Sequence, residues 1–149
     1  MAEIIIADTS PRVQYTVTGA TTGPFAIPFP YFENADIKVY YGTTLKTLTT
    51  HYTIAGTAVD DGFSGGVITS EDSISSTTVT VVRDIPIART TDHAPGLFNI
   101  ATLNKELDKL FAIGQYLETQ LTGVVKRPDT STESYSLSWP DGATSTTQQ

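Results

Sequence analysis

The hydrophobic period of this chain changes once, at Pro95-Gly96. Before that point apolar residues recur at every second position, in short runs. Val13, Tyr15 and Val17 alternate with Arg12, Gln14 and Thr16 until Gly19. Ile37, Val39 and Tyr41 repeat the pattern before Gly42, and Tyr52 and Ile54 do so before Gly56. Val67-Ile68-Thr69 follows a loop running from Asp60 to Gly66, and Thr77 to Arg83 is the strongest strand candidate. A period of two places alternate side chains on one face of a strand. Such runs at roughly ten-residue spacing, separated by turn residues, predict two packed antiparallel sheets rather than βαβ units. The expected fold is therefore mainly β: an antiparallel β-sandwich over residues 1–99, one long C-terminal α-helix over 100–127, and an irregular polar segment over 128–149.

Beyond Pro95-Gly96 the apolar residues Ile100, Leu103, Leu107, Leu110, Gly114, Leu117, Leu121 and Val124 are spaced alternately by three and four. That is an unbroken a/d heptad, the signature of a coiled coil. Asn99 or Thr102 is placed to cap the helix N-terminus, Lys126-Arg127 suit the negative end of its dipole, and Pro128 stops it. Gly114 is the weak layer, costing about 1 kcal/mol against Ala by propensity alone. A helix lying on its own sheets ordinarily shows a broader stripe. The narrow seam therefore favours self-association over packing against the chain's own β domain. Phe111 beside the seam adds width and favours a trimeric helical bundle over a dimer.

One run combines both kinds of information. In Phe25-Ala26-Ile27-Pro28-Phe29-Pro30-Tyr31 every odd position is large and apolar. Pro28 and Pro30 have no N–H to give to a ladder, so the segment is an edge strand or an unpaired extended stretch. Phe25, Phe29 and Tyr31 then either plug one end of the core or face a partner chain. Two further stretches are candidate partner contacts. One is Ile4-Ile5-Ile6, which could add to a partner's sheet edge. The other is the alternating Tyr135, Leu137 and Trp139, a small docking strand or part of a ragged tail.

Composition removes several classes of function. The chain of 149 residues has no Cys, which excludes disulfides, thiol nucleophiles and Cys-ligated zinc. Its net charge of −7 lacks the basic footprint of a general nucleic-acid binder. No apolar run is long enough for a membrane-spanning helix, so no membrane insertion is expected. His51 and His93, the only histidines, do not form a helical metal-binding pair. The Asp60-Asp61-Gly62 and Gly65-Gly66 stretches match neither a phosphate loop nor a calcium ladder. Glu71-Asp72 is a carboxylate pair of the sort any loop offers. The residues thus indicate no catalytic group, no metal and no cofactor. A carbohydrate-binding module, with Tyr40, Tyr41 and Trp139 stacking on host glycans, is the alternative to a structural role.

The order of several elements resembles one family. It runs Tyr15, Phe25-x-Ile27-Pro28-Phe29-x-Tyr31, Ile37-x-Val39, Leu48-x-x-His51-Tyr52, then Val79-x-Val81-x-Arg83-x-x-Pro86. It continues with Gly96-Leu97-Phe98 and Leu103-Asn104-x-x-Leu107-Asp108-x-Leu110. Over residues 12 to 128 this is similar to the N-terminal virion-attachment (adaptor) domain of short-tailed bacteriophage (podovirus) tail fibres and tailspikes. His51 stands where that family often has Asp. The resemblance implies a structural, non-enzymatic homotrimer in the virion tail, assembled in the host cytoplasm. It implies attachment to the tail adaptor or nozzle proteins, with a helical region leading to a distal fibre or spike module that reads the host. Since such fibres normally continue much further, the expectation is either a stand-alone adaptor or the attachment part of one.

Overall fold

The computed structural model describes residues 4–88 and 99–122, and the backbone of 137–138 and 144–145. Seven strands precede the helix: β1 (Arg12–Val17), β2 (Phe25–Ile27), β3 (Ile37–Tyr41), β4 (Thr44–Lys46), β5 (Tyr52–Val59), β6 (Gly62–Ser70) and β7 (Thr77–Arg83). They form two antiparallel sheets, ordered β1-β7-β3-β4 and β2-β6-β5. One 3-10 turn, Asn34–Asp36, leads into β3, and α1 spans Ile100–Thr122. In the C-terminal segment expected to be irregular, β8 (Leu137–Ser138) pairs with β9 (Thr144–Ser145). Tyr135 and Trp139, and residues 123–127 of the expected helical segment with Val124 among them, lie outside the described residues.

The period-two runs became strands because one side of each is buried. A single apolar cluster takes Val17, Ile37, Val39, Val79 and Val81 from the first sheet and Phe25, Ile27, Tyr52 and Ile68 from the second. Sheet pairing extends further than the alternation did. The ladder of β5 with β6 runs down to Val59 opposite Gly62, leaving only Asp60-Asp61 as the turn. Gly62 to Gly66, expected in a loop, are therefore strand residues. β4 was not visible in the sequence, since Thr44-Leu45-Lys46 buries no side chain and owes its state to the ladder with β3.

β2 is an edge strand, pairing on one side only, with β6, and it ends at Ile27, so Pro28 and Pro30 fall in an unpaired stretch. The chain then rejoins β6 at Tyr31, whose N–H donates to Phe63 O while Phe63 N–H donates to Tyr31 O. Phe25, Phe29 and Tyr31 are 6%, 0% and 0% exposed, so they are core residues and not partner contacts. The reason is the parity of the segment: the face bearing the aromatics turns inward, and Ala26 and Pro28 take the exposed side. Tyr31 needs a slot, and two glycines supply it. Gly56 and Gly66 face each other across β5 and β6, and a Cβ at Gly56 would collide with Tyr31 Oη and with the Phe63 ring stacked on Tyr31.

Two buried phenols differ in how they are satisfied. Tyr52 Oη donates to Ile37 O at 3.1 Å, whereas the buried Tyr31 Oη has no partner among the described residues. Tyr31→Phe is therefore expected to raise stability to urea by about 1 kcal/mol, and Tyr52→Phe to lower it by about the same amount. Burial pushes both phenols from 10.0 up to about 12. Between those values the folded chain keeps protons that the unfolded chain releases, so stability falls as pH rises from about 10 to about 12. Either substitution should flatten that fall in an alkaline denaturation series.

Candidate functional site

The helix begins where a capping side chain is available: Asn99 Oδ1 accepts the N–H of Thr102 at 3.3 Å. From there α1 lies against the β region through a face that the heptad does not mark. Ala112 is fully buried, in a second apolar cluster with Ile4, Phe32 and Ile85, and Ile6, Val59 and Ile113 pack on it. Lys105 Nζ approaches Asp61 at 3.9 Å. With Ile100 as an a position, Lys105, Ala112 and Thr119 are the f positions, which a coiled coil leaves to solvent. Here they mark the docked side.

A buried polar clasp holds that side in place. Arg83, the last residue of β7, is 0% exposed, since it shares the inward parity of Val79 and Val81. Its Nη1 donates to Pro30 O and its Nη2 to Gln115 Oε1 on the helix, both at 2.6 Å. The guanidinium also sits over the Phe29 ring, 5.9 Å from its centroid. Gln115 passes the link on, its Nε2 donating to Ala7 O at 2.7 Å. One amide thus ties helix, strand and N-terminal segment together. Burial lowers the Arg83 pKa to about 10 against the pull of Asp36, so the group stays charged at neutral pH.

The heptad residues lie on the opposite side of α1. Ile100, Leu110 and Leu121 are 64%, 64% and 51% exposed, and Leu107, Leu117 and Gly114 are exposed beside them. Phe111, flanking the seam, is 69% exposed. Leu103 is half-buried, because it lines an apolar groove between α1 and the segment from Ile85 to Ala88. The sequence set packing on the chain's own β domain and self-association as alternatives and favoured the second. Packing on the β domain does occur, through Ala112, Ile113 and Gln115, and the leucine comb is left in water. Of the N-terminal candidates, Ile4 is buried under the helix, Ile6 is half-buried, and only Ile5 is exposed; no strand forms at these positions.

Two concavities flank the helix. The apolar groove, about 630 Å³, is bounded by Phe32, Ile85, Ile87, Leu103, Leu107 and Leu110. A smaller polar cleft of about 280 Å³ lies over the first sheet, where Tyr40 and Tyr116 meet Arg12, Gln14, Lys38 and Asp84. Among the described residues no group of His, Cys, Asp or Glu is placed to hold a metal ion, and no helix is long and apolar enough to cross a membrane. Sequence reasoning missed Arg83, Ala112 and Gln115. Only Arg83 left a signal, by falling on the core parity of its strand. No protein-family model matches the chain, and a search of curated proteins finds no significant similarity.

Proposed function

We propose that this chain is a structural attachment module that works as a homotrimer. In this reading the exposed comb of α1 zips three copies into a helical bundle. The two sheets of each copy form a β-sandwich that grips a partner in a phage tail, an adaptor or nozzle protein, as the family resemblance implies. A distal fibre or spike module would be carried at the other end. The chain performs no catalysis in this role and needs no cofactor. What supports it is one observation: the seven heptad positions from Ile100 to Leu121 lie on the side of the helix away from the docked Ala112, six of them exposed or half-exposed and apolar. Each leucine buried on association contributes about 1.5–3 kcal/mol, so several seam layers suffice without a ligand. Light scattering of the purified chain should give three times the monomer mass, and the chain should occur on purified particles in multiples of three. A monomer at every concentration, and a single copy per particle, would overturn the reading.

A second reading rests on the polar cleft. Tyr40 and Tyr116, with amide and charged groups converging beside them, are the kind of surface on which a sugar can stack and hydrogen-bond. A carbohydrate-binding module predicts glycan-array signal for the isolated chain, lost in Tyr40→Ala. An array without signal removes it.

A further inference from the structure

The comb and the groove beside it are parts of one surface, with Phe111 on one flank of the comb and the groove on the other. By heptad letter, Phe111 is an e position, while Glu106 and Ile113, on the groove side, are g positions. In parallel coiled-coil helices the g residues of one chain face the e residues of the next heptad on its neighbour. Glu106 of one copy is then opposite Phe111 of the next, at the level where the groove is walled by Leu107 and Leu110. We propose that associated copies run parallel and that each seats its Phe111 in the groove its neighbour keeps between α1 and the Ile85–Ile87 segment. This deepens the self-association proposed above and rests on it.

Area and symmetry both argue for a second copy as the occupant. Ile100, Leu107, Leu110, Phe111, Leu117 and Leu121 are between 43% and 69% exposed. Together they leave on the order of 600 Å² of surface per copy in water. That is at the limit of what monomers carry, and near the ~800 Å² each partner gives to a standard interface. Phe111 into groove is a contact between two different patches, so it propagates from copy to copy and must close into a ring or run on as a filament. A parallel bundle closes it. An antiparallel pair would set e against e and g against g, leaving every groove without its aromatic. Gly114, one layer beyond Leu110 in the seam, carries no side chain to hold the helices apart at that level.

The chain has no cysteine, so single thiols report contacts cleanly. Phe111→Cys and Ile87→Cys change side chains that are 69% and 79% exposed, so both variants should fold. The two full-length variants are mixed, allowed to exchange subunits and treated with a short bismaleimide. The expected product is the mixed dimer on a denaturing gel, with little Phe111→Cys self-product. In parallel, Phe111→Ser should raise the dissociation constant of the assembly at least tenfold. A sample that light scattering shows to be associated, but that gives only self-product or none, overturns the seating and leaves self-association standing. So does an unchanged dissociation constant for Phe111→Ser. A wild-type chain that stays monomeric overturns both.

Discussion

Replacing Leu110 with Asp is expected to separate the copies and leave each chain folded. Leu110 is 64% exposed and belongs to neither buried apolar cluster, so the change costs the single chain little. In a trimer the same change places three carboxylates on one axis and removes three buried leucines, each contributing about 1.5–3 kcal/mol. Association should weaken by at least a thousandfold. Because binding between folded copies stabilises the folded state, the wild-type melting temperature should rise with protein concentration, and that dependence should vanish in Leu110→Asp. The companion variant is Ala112→Asp, two residues along the same helix. Ala112 is 0% exposed against Ile4, Phe32 and Ile85, so a carboxylate there should detach the helix and destabilise the single chain. If Leu110→Asp unfolds the chain while Ala112→Asp is silent, the two faces have been assigned the wrong way round.

Arg83→Ala is expected to be the most damaging single change to the folded chain, costing about 3–5 kcal/mol in urea unfolding. It deletes the donors to Pro30 O and Gln115 Oε1, removes the group over Phe29, and leaves a hole where strand, helix and N-terminal segment meet. Arg83→Lys keeps the charge, but an ammonium lacks the planar fork that reaches two acceptors lying in different elements. It should recover only part of the loss. Gln115→Leu tests the other half of the clasp. It strands the guanidinium's Nη2 and frees Ala7 O, so it should loosen the first residues and the helix together, readable as faster amide exchange in residues 4–8 and α1.

Much of the β region could be read directly from the residues, because burying one face of a strand writes itself as alternation. β1, β3 and β7 begin and end where Val13-Tyr15-Val17, Ile37-Val39-Tyr41 and Thr77 to Arg83 said they would. The prolines at 28 and 30 likewise pointed to an edge strand or an unpaired stretch, since a missing N–H is a local fact, and the segment supplies both: β2 up to Ile27 and unpaired backbone at the prolines. Elements without that mark were invisible. β4 buries nothing, and the glycines at 65 and 66 looked like a turn when they are strand residues, Gly65 against the Ile27 backbone and Gly66 beneath Tyr31.

The helix separates local from tertiary information most clearly. Its capping Asn99, its start at Ile100 and the heptad of Ile100, Leu103, Leu107, Leu110, Gly114, Leu117 and Leu121 are properties of order along the chain, determined before any folding. Which side of it meets the sheets is not such a property. An apolar stripe states that some surface is to be covered but carries no address for what covers it. The face that docks is built around Ala112 and Gln115, too small and too polar to register as a stripe, with the single Ile113 beside them. It was selected by a complement that exists only in three dimensions: the cluster under Ala112 and a buried guanidinium that needs an acceptor from the helix.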